Sequence, residues 1–421
     1  MGQHRGPEPG ELRALALLAS VVFGAATYGV ITHAELSPLQ PRQPVAAHIA
    51  PLAKVAERAK VRLQPRLSRD TLHGETLFWL SHKFSPGDPH LVDVVGAGDV
   101  MMGARDIGLD PELRPETDVS ALVGGDVSAI FHRADIAFAN LEGTLYDGDG
   151  AQAKDCEHCY SFRSPTFYAR YLAQLGIGAV SLANNHSGDY GDEGRDSTLA
   201  ALRANNIGFF GLDRDNARVA EFALANGARA ALVSFAPNTG TLDINDPDAE
   251  ARIVRELKAS HAIVVVSFHG GGEGEDFRHV ADARESFHGE DRGNVVAFAH
   301  TAIDAGADIV IGQGPHVPRA LEILHGHLIA YSLGNFWTYG AIDTSSIRGA
   351  GPILEAWLAP DGTIAGFTLH STEQRDMDVP HADPAHKAER EMLELTHDDF
   401  PATAAVLDAA ARSGATKSAG S

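Results

Sequence analysis

A chain of 421 residues exceeds one average domain but fits one large α/β domain with appendages. Hydrophobic content of 44% and 43 glycines match an ordinary globular protein rather than a disordered one. The formal net charge of −22 argues against nucleic acid as a partner, because phosphate binding needs a basic surface. It also disfavours a polyanionic ligand unless metal ions supply local positive charge.

Ala14 to Ile31 form a nearly uncharged, largely apolar run of 18 residues after Arg5 and Arg13. That length is near the lower limit for a membrane-spanning helix. Gly24, Thr27, Tyr28 and Gly29 dilute it, so residues 1–34 read as a signal peptide or membrane anchor. No cysteine lies nearby, which excludes a lipid-modified anchor. Pro38, Pro41 and Pro44 then mark a stiff linker, and Leu52–Leu63 reads as a short basic helix, giving a Pro-rich, basic linker over residues 35–90. The expected location is extracytoplasmic, anchored or secreted.

From Leu91 short apolar runs alternate with helical stretches. Leu91–Ala97, Ile136–Ala139, Ile177–Leu182, Ala230–Ala236, Ala262–Phe268 and Asp308–Ile311 read as strands. Pro165–Leu175, Asp192–Asn205 and Asn294–Ala305 read as helices, so the alternation predicts layered α/β architecture. Ala320–Leu324, Leu328–Leu333, Ile353–Leu358 and Ile364–His370 read as strands in antiparallel pairing. Residues 376–421 are expected to hold one helix, near Ala385–Leu395, and a disordered tail from about Ser413.

The chemistry sits at the strand ends, where open α/β sheets place ligand sites. Five apolar runs finish on polar residues: Asp99, Asn140 with Glu142, Asn185 with His186, His269, and His316. Carboxylate, carboxamide and imidazole together suit Mn, Fe or Zn better than an all-oxygen calcium cage. Each also has an ordinary reading: Asp99 as a cap, Asn184-Asn185 as a turn, Glu142 as a surface acid, His269 bonded to backbone beside Gly270-Gly271-Gly272, and His316 facing solvent. Cys156 and Cys159, with His158 between them, are too few for a four-cysteine zinc site and read as a small disulfide loop or idle thiols.

Six segments carry a family resemblance. Gly98-Asp99-Val100-Met101, Asn140-Leu141-Glu142, Ala183-Asn184-Asn185-His186, Phe268-His269-Gly270-Gly271, Gly314-Pro315-His316-Val317 and Tyr331-Ser332-Leu333-Gly334-Asn335-Phe336 resemble the CapA family of poly-γ-glutamate capsule biosynthesis proteins, related to calcineurin-like metallophosphoesterases. The resemblance implies a four-layer α-β-β-α sandwich over about residues 91–375 and an exported or membrane-anchored protein. It implies Asp99, Glu142, Asn185, His269 and His316 as ligands of one or two divalent metal ions. His186 and Glu142 would act in catalysis, and Asn140, Asn184 and Asn335 would line the substrate site.

Met101 stands where metallophosphoesterases place a histidine, Asn140-Leu141-Glu142 lacks their bridging aspartate, and Gln313-Gly314 replaces another histidine. These departures point to one cation or a weakly occupied pair. The expected activity is metal-dependent hydrolysis of a phosphoester or a γ-glutamyl polymer. The alternative is a non-catalytic scaffold, or a polymer-binding component beside a membrane synthase.

Overall fold

In the computed structural model, the described residues are 48–49, 75–104, 108–109, 115–154, 160–338, 344–375 and 379–418. The chain divides into two units, Met1–Pro44 and Val45–Ser421, and every described residue belongs to the second. The apolar run at residues 14–31, the helix read at 52–63 and the Cys156/Cys159 pair lie outside the described residues. Among the described residues no helix is long and apolar enough to cross a membrane.

The main elements in chain order begin with β1 (His48–Ile49), β2 (Phe78–Trp79), β3 (Val92–Val100), α1 (Gly125–Arg133) and β4 (Ile136–Leu141). Next come α2 (Ala169–Leu175), β5 (Ala179–Ser181), α3 (Gly191–Ala204), β6 (Gly208–Phe210), β7 (Val219–Ala223) and β8 (Arg229–Phe235). α4 (Pro247–Lys258), β9 (Ile263–His269), α5 (Val295–Ala305), β10 (Ile309–Gln313), β11 (Leu321–Leu324) and β12 (His327–Ala330) follow. β13 (Asn335–Trp337), β14 (Ala350–Leu358), β15 (Ile364–Glu373), α6 (Lys387–Asp399) and α7 (Pro401–Ser418) complete the set.

Two sheets result. One runs β6-β5-β4-β3-β14-β15-β2, with β13 beside the end of β3; the other runs β1-β7-β8-β9-β10-β12-β11. β3, β4 and β5 are mutually parallel, as are β8, β9 and β10, so their carboxyl ends emerge together within each sheet. The late strands pair antiparallel as expected, β11 with β12 and β14 with β15.

Strand alternation builds the layers. Val94, Ile136 and Phe138 from the first sheet and Leu232, Val265 and Ile311 from the second share one core between the sheets. Their neighbours Val95, Ala137 and Val180 face outward against Phe131, Leu172 and Leu202 of the helices. On the far side Val233, Val264 and Val266 pack on Val254, Phe298 and Ala302. The order is therefore helix, sheet, sheet, helix, the expected four-layer sandwich. Each fully buried Val, Ile or Phe contributes about 1.5–3 kcal/mol, so these runs define the strands despite the glycines within β3.

One of those glycines is required by contact. A Cβ on Gly98 would lie 2.0 Å from the Gly334 carbonyl oxygen. That close approach lets Asp99 N donate to Gly334 O at 2.9 Å and brings β13 alongside β3.

The structure corrects several expectations. Residues 75–90, read as linker, join the fold: β2 pairs with β15, and Glu75 bonds to His370. α4 was not anticipated, although Asp246 caps it by accepting from Ala249 N and Pro247 occupies its first turn. Where a disordered tail was expected from about Ser413, α7 runs to Ser418; its alanine-rich sequence favours helix, and Leu407 anchors it in the core.

Candidate metal centre

The carboxyl ends of β3, β4 and β9 deliver the first three functional side chains. Asp99 lies near the end of β3, Glu142 just after β4, and His269 is the last residue of β9; all three are wholly buried. Their ligand-capable atoms lie within 4.8 Å of one another. His316 comes from the turn after β10 with φ of 58°, a left-handed conformation uncommon outside glycine. Its Nδ1 is 3.1 Å from Asp99 Oδ2 and its Nε2 is 3.6 Å from Glu142 Oε1.

The carboxylates are short of donors. Asp99 Oδ1 accepts from Asn140 Nδ2 at 2.8 Å and its Oδ2 faces His316 Nδ1, but both Glu142 oxygens are buried without a hydrogen-bond partner, as is Asn185 Oδ1. An unpartnered buried carboxylate is costly unless a cation or a proton meets it. Burial pushes Glu142 well up, with Asp99 and Glu273 adding to it against His316. Burial also drives His269 well down, leaving a neutral imidazole of the kind metals take. Burial opposes charge on His316, yet Glu142 and Asp99 carry it up to about 10. A proton on His316 and a divalent cation therefore compete for this cluster. Unpartnered oxygens beside neutral imidazole fit a divalent metal ion.

Three carboxamides expected to line the substrate site make hydrogen bonds inside the protein. Asn140 Nδ2 faces Asp99 Oδ1 and lies 3.1 Å from His269 Nδ1, while its Oδ1 accepts from Asn184 Nδ2. Asn184 also donates to Leu141 O and accepts from the backbone N–H groups of His186 and Ser187. Asn335 Oδ1 lies 2.9 Å from His316 Nδ1, and its Nδ2 donates to His316 O and Arg348 O. Such contacts orient ligand side chains from behind.

His186 is nine-tenths buried; its Nε2 lies 4.0 Å from Glu142 Oε1, and burial lowers its pKa despite Asp189. Asn185 remains half-exposed at the same turn. All the ligand candidates thus gather at one end of the sandwich, with His186 beside them.

Four participants carried no assigned role in the sequence. Arg292, wholly buried, places Nη2 3.1 Å from Glu273 Oε1 and 3.4 Å from His269 Nε2. Glu273 Oε2 lies 4.0 Å from His316 Nε2. Lys154 and Asp189 meet His186 from its other side. Only Glu273 and Asp189 had a signal, each lying within a few residues of a quoted motif.

The fold and the cluster define a four-layer α/β protein with a buried Asp-Glu-His group suited to a metal ion. Residues 93–339 match the family described as bacterial capsule synthesis protein PGA_cap, and the chain belongs to that family. It is 29% identical over 266 residues to the "PGA biosynthesis protein CapA" of Bacillus subtilis, covering 58% of this chain and 63% of that one. It is 27% identical over 263 residues to the "Capsule biosynthesis protein CapA" of Bacillus anthracis, covering 57% of this chain and 58% of that one. The chain therefore spans less than two thirds of either Bacillus relative. A "Probable polyglutamine synthesis accessory protein" of Mycobacterium tuberculosis is 29% identical over 305 residues, covering 59% of this chain and 75% of that one.

Among solved structures, the NAD nucleotidase of Haemophilus influenzae aligns with a TM-score of 0.36 and 10% identity, covering 78% of this chain and 61% of that one. A 5′-nucleotidase precursor from Thermus thermophilus aligns with a TM-score of 0.36 and 12% identity, covering 73% and 59%. Similarity at that level carries no argument about activity.

Proposed function

We propose that this protein is an extracytoplasmic, divalent-metal-dependent hydrolase of poly-γ-glutamate or capsule metabolism, acting on a phosphoester or a γ-glutamyl linkage. The observation that carries the reading is the buried Asp99-Glu142-His269 group, with both Glu142 oxygens lacking donors. Asp99, Glu142 and His269 would hold the cation, Mn, Fe or Zn by donor type, with His316 and Asn185 completing its surroundings. Bound there, such a cation supplies Lewis acidity, polarising a scissile group and acidifying water.

The chain's own residues supply the rest. Asn140 and Asn335 fix the directions of Asp99, His269 and His316. Arg292 adds positive charge behind His269, which favours negative charge developing near the cluster. His186, buried beside Glu142, is the group placed to handle a proton at Nε2. Export rests on the apolar run at Ala14–Ile31, and the link to polymer synthesis rests on the relatives' names.

A second reading, a non-catalytic scaffold or polymer-binding partner in capsule synthesis, is favoured by those same names, which speak of biosynthesis. Assay of metal-loaded protein on phosphoesters and γ-glutamyl polymers separates the two. Hydrolysis well above that of a His186→Ala control is the expected result. Equal rates for the two proteins on every substrate would reject the hydrolase.

A further inference from the structure

A cleft of about 400 Å³ opens between the 3-10 turn Ser346–Gly349 and α6, lined by Ser346, Ile347, Lys387, Arg390, Glu391 and Glu394. That volume is enough for a small ligand. Its wall is bonded to the surroundings of the metal cluster. Arg348 O accepts from Asn335 Nδ2 at 3.0 Å, and Asn335 Oδ1 lies 2.9 Å from His316 Nδ1. Ser346 Oγ donates to Glu275, and Gly274 N donates to Pro315 O at 2.8 Å, one residue before His316.

Two of the four charged side chains in the cleft are engaged. Lys387 Nζ lies 2.7 Å from Glu373 Oε2, and Arg278 Nη1 is 3.3 Å from Glu391 Oε1. Arg390 and Glu394 are exposed, and among the described residues neither side chain has a hydrogen-bond or ion-pair partner. They stand one turn apart on one face of α6, about 6 Å along its axis. Their order, cation before acid, is the weaker of the two such arrangements on a helix. The cleft therefore holds a guanidinium and a carboxylate side by side without neutralising either.

We propose that this cleft binds the zwitterionic head of an acidic α-amino acid. Its carboxylate would pair with the fork of Arg390 and its ammonium with Glu394, while Ile347 lies against the carbon chain. Both groups sit on one carbon, so a single ligand spans two side chains that do not meet each other. Lys387 gives one of its three donors to Glu373 and keeps others for an acidic side chain. The amino-terminal residue of a γ-linked glutamyl chain carries the same free head as glutamate itself. For such a chain the inference rests on the γ-glutamyl reading above and deepens it; for the free amino acid it stands alone.

The test is isothermal titration calorimetry on the full chain with glutamate, N-acetylglutamate, γ-aminobutyrate and a γ-glutamyl trimer. Glutamate should bind about fivefold or more tighter than N-acetylglutamate, which lacks the ammonium, and than γ-aminobutyrate, which lacks the α-carboxylate. Glu394→Gln should erase the first preference and Arg390→Gln the second, since each removes the group that reads it. Both positions are exposed, so both variants should keep wild-type metal content and circular dichroism.

A trimer that binds at least as tightly as glutamate assigns the cleft to chain ends, and a weaker trimer assigns it to the free amino acid; either upholds the site. Failure of glutamate and trimer to bind, equal affinity for N-acetylglutamate, or variants that keep both wild-type preferences would each overturn it. A wild type that hydrolyses nothing would reject the hydrolase and leave the binding result standing.

Discussion

Glu250, in the first turn of α4, is wholly buried, and neither of its carboxyl oxygens has a hydrogen-bond partner. Burial pushes it up to about 9 from an ordinary 4.5. The folded protein therefore keeps a proton that the unfolded chain releases above pH 4.5, so this residue makes stability fall as pH rises, until about pH 9. At pH 7 the unfolded chain is about 2.5 units past its midpoint, and at about 1.4 kcal/mol per unit the penalty is on the order of 3 kcal/mol. Glu250→Gln removes the titration while keeping shape and a polar end. Urea unfolding of both proteins at pH 5, 7 and 8.5 reads the difference. The variant should gain little at pH 5, about 3 kcal/mol at pH 7 and more at pH 8.5. A stability difference that stays constant across the three pH values would refute the reasoning.

Four further outcomes follow from the geometry. Glu355, His370 and Glu75 form a buried chain anchored by Arg133, with His370 2.7 Å from Glu355 and 2.8 Å from Glu75. Glu355→Gln should cost about 3–5 kcal/mol in chemical unfolding, because it strands the partner charges. Against burial, His370 and Arg133 hold Glu355 down to about 2, so its contribution is full above pH 4.5 and lost as pH falls through 2. His370, also against burial, is carried up to about 9 by Glu355 and Glu75; its contribution is full below pH 6.5 and lost as pH rises through 9, which wild-type and His370→Gln unfolding curves should show. Gly98→Ala would drive a Cβ into Gly334 O and Leu333 O, costing about 3 kcal/mol and displacing Asp99, measurable as lowered melting temperature and metal content. Asn140→Ala should weaken metal binding by about 10- to 100-fold in competition titrations while the protein stays folded, since it removes the donor that orients Asp99.

How much of this was legible in the sequence depended on where the signal was local. The strands leading to Asp99, Asn140 and His269 announced themselves as apolar runs ending on polar residues, because a strand buried on both faces needs an unbroken apolar sequence. β7 and α4 escaped that reading: β7 interrupts its run with Glu221, and α4 mixes buried positions with Asp248, Arg252 and Glu256. β2 was taken for linker because two residues carry no periodicity; its place depends on partners nearly 290 residues away. At the site, the ligand candidates were readable one by one. Their bonding was not: Asn140, Asn184 and Asn335, read as lining a substrate, also hydrogen-bond to one another or to the cluster. Arg292 was invisible for the same reason, since the short hairpin Glu285–Gly293 brings it behind His269 only after folding.

Metal stoichiometry tests the central claim most directly. The full chain, purified without chelator and offered Mn, Fe or Zn, should retain at least one divalent ion per molecule by elemental mass spectrometry. Asp99→Ala and His269→Ala should retain none while keeping their secondary structure by circular dichroism. Wild-type protein that emerges metal-free under every condition, or variants that hold as much metal as the wild type, would contradict a cation held by Asp99, Glu142 and His269.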